Sequence, residues 1–278
     1  MHALKKIQKS TLYQHFDQTL KDQMLAQPFA VALSGGVDSM ALAMVAKTYA
    51  IEHDIDLHCL IVNHHLREES SAQIASLTAY LSTQNIQFQV LDWEHGSIQT
   101  AIQVKARKAR YDLLKNYCEI HKISMLMTAH HLLDQIETYY LRQEKESGIV
   151  GLAGMNVVSY LGDIKLIRPF LELDKKELVK FCKAFEVPWW EDASNQDIKY
   201  RRNALRKTLT LEEISFAKGA LLKAKLQKQM LYKEIILWVE KYIAMNHLGE
   251  LSIQLAPDLL SQSDMSLYFW GLVLKLYS

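Results

Sequence analysis

The sequence predicts an α/β fold, a parallel sheet with helices on both faces, followed by a smaller, mainly helical C-terminal domain. Three observations predict it. Short apolar runs alternate with stretches of helical spacing from residue 29 to residue 142, the β-α-β-α order of a parallel sheet. The first run ends in Ser34-Gly35-Gly36, a tight strand-to-helix turn. From 211 to 246 helical spacing dominates.

Residues 4–25 place Leu4, Ile7, Leu12, Phe16, Leu20 and Met24 at helical spacing, and Pro28 ends the segment. Strands are expected at 29–33, 57–62, 88–91 and 123–128, short runs suited to a sheet buried on both faces. Helices are expected at 38–49, 70–83, 100–121 and 132–142. The whole is a Rossmann-like order, in which ligands bind beyond the carboxyl ends of the strands. Residues 148–168 read as irregular with a short hairpin ending at Arg168-Pro169. Asp174 reads as the N-cap of a helix over 174–185, with Glu177 three residues on. The domain division falls near residue 209, giving 1–209 and 210–278.

About half of the 278 residues are hydrophobic, enough for a large core. No run of eighteen apolar residues occurs, and residues 1–10 carry three lysines without a following apolar stretch. A cytoplasmic protein with no membrane span is the expectation. Cys59, Cys118 and Cys182 form no C-x-x-C pair, so they read as small buried residues of a reducing compartment. Net charge is +1, but residues 199–233 hold ten Lys or Arg against Glu212 and Glu213. Such a stretch fits a phosphate backbone or a solvated helix face.

The segment from Val31 to Ser39, Val-Ala-Leu-Ser-Gly-Gly-Val-Asp-Ser, lies between a strand and a helix. Its N–H groups converge on one spot that favours an anion such as phosphate, and Ser34 and Ser39 add hydroxyls. A Ser-Gly-Gly turn can also simply join strand to helix. Asp38 would repel phosphate unless a cation lay between them, which points to Mg²⁺. The spacing is not that of a Walker A loop, and the loop has no lysine.

The motif S-G-G-x-D-S resembles the pyrophosphate loop of the N-type ATP pyrophosphatase (PP-loop) superfamily, whose members cleave ATP between the α- and β-phosphates. Further segments resemble the tRNA(Ile)-lysidine synthetases within it. Asn63-His64-His65-Leu66-Arg67 through Ser70 is similar to D-H-G-L-R-x-E-S, and Ala106-Arg107 through Arg110-Tyr111 to A-R-x-A-R-Y. Ala129-His130-His131 through Asp134-Gln135, Glu137 and Thr138 is similar to A-H-H-x-D-D-Q-x-E-T. Ser147 to Met155 is similar to S-G-x-x-G-L-x-G-M, Trp190 to Asn195 to W-x-D-P-S-N, and Arg202-Asn203 through Arg206 to R-N-x-x-R. The resemblance spans 31–206 and weakens beyond 210.

The residue chemistry runs beside it. Asp134 and Glu137 share a helix face just after a strand end, so they can hold Mg²⁺ or a lysine ammonium, or be two surface acids at a helix start. Arg107 and Arg110 share a face beside the apolar positions Ile102, Ala106, Ala109, Leu113 and Tyr117. A guanidinium there can grip phosphate. Trp189 and Trp190 can stack on a base or cap the core.

The resemblance implies ATP-dependent ligation of free L-lysine to C2 of the wobble cytidine of tRNA(Ile) with a CAU anticodon, through an adenylated cytidine, releasing AMP and pyrophosphate. It implies that Ser34, Gly35, Gly36, Val37, Asp38 and Ser39 bind ATP. Asp38, Arg110, His130, Asp134 and Glu137 would be catalytic, Asp38 and Asp134 would hold Mg²⁺, and Arg202, Asn203 and Arg206 would contact tRNA. It also allows a homodimer. Leu133 departs from the D-D pair, Asn63 and His65 from D-H-G, Glu146 from a glycine and Ala193 from a proline. Many family members carry two C-terminal domains, and this chain has room for one. The rival readings are a PP-loop tRNA thiolase, another adenylating ligase of the GMP- or NAD-synthetase kind, and a non-enzymatic ATP- or RNA-binding module.

Overall fold

Helices α1 (His2–Gln8) and α2 (Thr11–Lys21) occupy the segment whose spacing predicts one helix. The break has a local cause. The Ser10 hydroxyl donates to the Ile7 carbonyl (2.6 Å) and accepts the Tyr13 N–H (3.2 Å), ending one helix and capping the next. The structure, a computed structural model, describes residues 2–21, 23, 27–65, 69–96, 100, 102–190, 201–245, 251–260 and 264–276. Residues 66–68 and 191–200, which carry parts of two motifs and Lys199 of the basic stretch, lie outside the described residues.

Strands and helices then alternate: β1 (Phe29–Leu33), α3 (Val37–His53), β2 (Leu57–Asn63), α4 (Glu69–Thr83), β3 (Phe88–Asp92), α5 (Ile102–Ile120), β4 (Met125–Met127) and α6 (Leu132–Gln143). After α7 (Ile149–Leu152), β5 (Val158–Leu161) and β6 (Ile164–Ile167) form the hairpin. It is followed by α8 (Lys175–Ala184) and α9 (Arg201–Thr208). The sheet order is β3-β2-β1-β4-β6-β5. All pairs are parallel except β5 with β6, an antiparallel edge. Strand β4 is shorter than its apolar run because the Ile123 N–H closes the end of α5 on the Cys118 carbonyl.

Alternate residues of β1 serve two cores. Val31 and Leu33 face a large cluster with α2, α3, α4 and α8, while Ala30 joins Leu60, Leu126, Leu114 and Cys118 on the α5 side. Helix α3 shows no single apolar face, because twelve of its seventeen residues are buried. On α5 the buried stripe is Leu114 and Cys118 with Tyr111 and Tyr117 beside them, whereas Ile102 is exposed. The spacing predicts a face centred on Ala106 and Leu113; the observed stripe is rotated toward Leu114 and Cys118, which cluster with Ala30, Leu60, Leu126 and Leu166 of the sheet.

The chain forms two compact units, Met1–Glu137 with Met155–Thr208, and Thr138–Gly154 with Leu209–Ser278. A single cut near 209 misses the short segment before Gly154, which groups with the C-terminal part. In the second unit, α10 (Leu211–Tyr242) opens with a capping box between Thr210 and Glu213. Strands β7 (Ile243–Met245) and β8 (Leu251–Ile253) pair antiparallel, and α11 (Pro257–Leu260) and α12 (Asp264–Leu276) complete the unit. Its core holds Ile235, Tyr242, Leu259, Phe269 and Val273. Lys218, Lys223 and Lys233 of α10 are exposed. No helix among the described residues is long and apolar enough to cross a membrane.

Candidate active site

Parallel strands deliver their carboxyl ends to one edge, so the residues that follow β1, β2, β4 and β6 gather there. A cavity of about 900 Å³ opens at this edge, between the Ser34–Ser39 loop, His64, Arg110, His130 and Trp190. It lies in the first unit.

Gly35 has φ +81°, a left-handed conformation that glycine adopts without strain. The Trp190 N–H donates to the Gly35 carbonyl (3.0 Å), and the Trp190 ring stands 3.6 Å from where a Cβ of Gly35 would lie. Trp190 therefore walls the cavity as well as packing on the core. Gly36 is the N-cap of α3 and supplies no side-chain cap, so the first-turn N–H groups stay open to a ligand. Ser39 fixes the loop from inside: its Oγ donates to the Gly36 carbonyl (2.9 Å), accepts the Ser34 N–H (3.2 Å) and meets Ser34 Oγ (3.1 Å).

Asp38 follows on the first turn of α3. Its Oδ1 is buried without a hydrogen-bond partner among the described residues, while Oδ2 faces His131 Nε2 at 3.5 Å and Lys175 Nζ at 3.6 Å. His131 is buried and sits between two carboxylates. Its backbone N–H donates to Asp134 Oδ2 (3.0 Å), and its Nδ1 accepts the Leu133 N–H (3.2 Å). With Nδ1 turned to the Leu133 N–H, the ring presents Nε2 toward Asp38. Leu133 thus orients His131 through its backbone N–H, a contact that does not depend on its side chain. Burial opposes ionisation of Asp134, but His131, whose N–H it accepts, holds the carboxyl below its ordinary range.

Glu137 is fully buried. Its Oε1 meets Arg206 Nε at 2.6 Å, Oε2 meets Arg202 Nε at 3.2 Å, and Arg206 Nη2 also reaches Asp134 Oδ1 at 3.4 Å. Burial raises the Glu137 carboxyl above its usual range against the pull of Arg206. The two arginines named for tRNA contact therefore point at the carboxylates, and Asn203 lies half-buried on the same helix.

His130 lines the cavity with Nδ1 2.9 Å from Thr128 Oγ1. Burial first, and then Arg168, Arg110 and Arg107, push its pKa well below the ordinary value, so the ring is neutral at pH 7. The guanidinium carbons of Arg107 and Arg110 stand 5.0 and 5.2 Å from the Tyr111 ring centroid. Arg168, at the end of β6, donates from Nη1 to the Asn156 carbonyl (3.0 Å) and Ser159 Oγ (2.9 Å). Burial and the like charge of Arg107 lower both Arg110 and Arg168. Desolvated like charges at one edge are the environment an anionic ligand relieves.

At the ends of β2 and β3, two departures from the D-H-G pattern compensate each other. His65 has φ +49°, the backbone that glycine would adopt freely. The Asn63 side chain accepts the His65 N–H (3.2 Å) and donates to Asp92 (3.1 Å), and His65 Nε2 meets the same Asp92 oxygen at 2.7 Å. Asn63 and Asp92 are register partners. Asn63→Asp is expected to destabilise the protein by about 1 kcal/mol at pH 7, since like charges would face each other across the strands. Urea unfolding at pH 7 and at pH 4 checks this. The deficit should shrink at pH 4, where carboxyls begin to protonate, and an equal deficit at both would rule out charge as its cause.

The sequence-named residues thus sit in two linked groups, the loop with Arg110 and His130 around the cavity, and Asp134, Glu137, Arg202 and Arg206 behind His131. Asp134 does not line the cavity. Sequence reasoning left His131, Arg168 and Lys175 without roles. Arg168 stands just after a strand, the place where chemistry is expected, and was open to that reading. Lys175 carries no local signal, because only packing of α8 on α3 brings it to the loop.

Comparison with known proteins gives the relatives of this chain. The tRNA(Ile)-lysidine synthase of Rickettsia bellii (strain OSU 85-389) is 35% identical over 206 residues, covering 73% of this chain and 48% of that protein. That of Wolbachia pipientis wMel is 40% identical over 182 residues, covering 65% and 42%. The chain spans about half the length of the curated relatives it matches. Among solved structures, the U34-tRNA thiolase NcsA from Methanococcus maripaludis, with its [4Fe-4S] cluster, aligns with a TM-score of 0.59 at 15% identity. The alignment covers 77% of this chain and 78% of that one, a likeness of fold. The profile of the PP-loop domain matches residues 8–213, which include every cavity residue described above, and the chain belongs to the PP-loop ATP-binding family.

Proposed function

We propose that this protein is an ATP-dependent ligase that joins free L-lysine to C2 of the wobble cytidine of tRNA(Ile) bearing a CAU anticodon. The observation that carries the reading is His131, which lies between Asp38 of the phosphate loop and Asp134 of the carboxylate pair and so makes the two groups one site. The similarity to proteins named tRNA(Ile)-lysidine synthase supports the choice of substrate.

The proposed sequence of events follows from where charge must go. ATP lies with its phosphates on the Ser34–Ser39 loop. Cytosine O2 attacks the α-phosphorus, the bond to the bridging oxygen breaks, and pyrophosphate leaves with the electron pair. The neutral ε-amine of lysine then adds to C2, and AMP departs with O2. Arg110 balances charge on the adenylated cytidine, and neutral His130 offers a hydrogen bond there without adding positive charge. Asp134 and Glu137 form the seat for the lysine amine. An incoming tRNA phosphate competes with Glu137 for Arg202 and Arg206, so docking of tRNA would free the carboxylate that receives lysine. The second unit, with its exposed lysines, is the proposed grip on the tRNA body.

Mg²⁺ fits the loop through the buried Oδ1 of Asp38, which has no hydrogen-bond partner among the described residues. No group of three or more His, Cys, Asp or Glu among the described residues is placed to hold a metal, so phosphate oxygens and water would complete the coordination. When bound, Mg²⁺ would offset the phosphate charge. The three cysteines are buried, with thiols pushed up to about 12 mainly by burial, which argues against a reactive sulfur carrier and hence against the thiolase reading.

The test is incorporation of labelled lysine into a tRNA(Ile) transcript with a CAU anticodon, given ATP and Mg²⁺. Incorporation that disappears when the wobble C becomes U supports the proposal. ATP cleavage to AMP without lysine transfer would move the substrate elsewhere within the superfamily.

A further inference from the structure

The phosphate loop contains no lysine, yet one is delivered to it by another helix. Lys175 Nζ lies 3.6 Å from Asp38 Oδ2 at the rim of the loop. Its position is built in. Lys175 is the first residue of α8, whose start is fixed by the Asp174 side chain accepting the Lys176 N–H (3.1 Å). The helix is docked on α3 by Leu178, Phe181 and Cys182, all buried, and the Cys182 thiol donates to the Val37 carbonyl (3.6 Å), next to Asp38.

Pairing with Asp38 does not by itself account for this placement. An ion pair whose lysine is 38% exposed adds little stability. Oδ2 already faces His131, and Oδ1 is left for a cation. A single carboxylate charge cannot balance a divalent ion and an ammonium together. A polyanion on the loop can.

We propose that Lys175 is a catalytic cation for the leaving pyrophosphate, its ammonium contacting the β- or γ-phosphate of ATP held on the Ser34–Ser39 loop. This rests on the ATP-cleaving reading above. As the acceptor oxygen bonds to the α-phosphorus, the α-phosphorus–bridging oxygen bond breaks and its electron pair stays with pyrophosphate. The charge that develops there is what Lys175 meets. The lysine absent from the loop sequence is thereby supplied from α8.

The test measures binding of pyrophosphate and of AMP separately, each with Mg²⁺, by calorimetry on the full chain. Lys175→Met should weaken pyrophosphate roughly tenfold to a hundredfold, the effect of one charge-assisted contact, and leave AMP within about twofold on the same scale. Lys175→Arg should retain most of the pyrophosphate affinity. Lys176→Met, one residue along and exposed, should change neither. Unchanged pyrophosphate affinity in Lys175→Met overturns the proposal, as does an equal loss of AMP affinity there and in Lys175→Gln. Wild-type protein that binds neither ATP nor pyrophosphate would sink the ATP reading itself, whereas normal wild-type binding with no effect of Lys175→Met sinks this inference alone.

Discussion

Asp38→Asn is expected to lower ATP cleavage by roughly a hundredfold or more, the size of effect seen when one electrostatic contact to a transition state is lost, while leaving the fold as stable as before. The two halves of this result have separate causes. The carboxylate sits on the first turn of α3, beside open N–H groups that attract phosphate. A negative side chain there serves a ligand only by holding a cation, and asparagine cannot replace that charge. Stability should not suffer, because Oδ1 has no hydrogen-bond partner among the described residues to lose, and the contacts of Oδ2 with His131 and Lys175 are long, at 3.5 and 3.6 Å. The measurements are release of AMP from ATP and a thermal melt of the same preparation. A variant that melts normally but cleaves ATP at the wild-type rate would remove Asp38 from the mechanism. A variant that unfolds would show that the carboxylate serves the fold.

The phosphate loop was legible in the sequence because everything it needs is contiguous. A β-strand ends, two glycines turn, and a helix begins, all within Val31 to Ser39. The left-handed positions were legible too. His65 and Glu146 stand where the family pattern has glycine, and both adopt positive φ, at +49°. The pattern recorded a backbone requirement that this chain meets with other residues, helped at His65 by the Asn63 side chain. What stayed hidden depends on distant packing. Nothing near Lys175 points to Asp38. Nothing in R-N-x-x-R tells that its arginines would turn toward Glu137, because the spacing fixes a helix face and not what that face meets. The rotated stripe of α5 has the same origin, since its neighbours on the sheet come from strands spread across the chain. His131 was overlooked in favour of His130 because adjacent histidines are indistinguishable until the chain beyond β4 selects which ring faces the cavity and which is buried.

Arg206→Ala is expected to cost about 3 kcal/mol of stability at pH 7, the low end of what breaking a buried ion pair costs, or several degrees of Tm for a unit of this size. Glu137 has no exposed side-chain surface, and Arg206 is its closest partner at 2.6 Å. Arg202, at 3.2 Å and 40% exposed, offers less. Removing Arg206 leaves a buried carboxylate short of charge and takes one partner from Asp134. The pH dependence follows from the direction of the Glu137 shift. Its pKa in the folded protein is raised above the unfolded value of 4.5, chiefly by burial, and loss of Arg206 raises it further. Below 4.5 both states hold the proton and the deficit is small; as pH rises through the folded value the buried site must carry the charge, and the deficit grows. Glu137→Gln in the Arg206→Ala background should recover more than half of the loss at pH 7, because the uncompensated charge is then gone. Denaturant unfolding of the four proteins of this double-mutant cycle, at pH 4 and pH 7, measures all of these terms. A deficit that is the same at both pH values and unrelieved by Glu137→Gln would mean that Arg206 acts through packing of its stem. The seat for an amine would then not be a charged carboxylate held in reserve by arginine, and the exchange of Arg206 from Glu137 to tRNA would lose its basis.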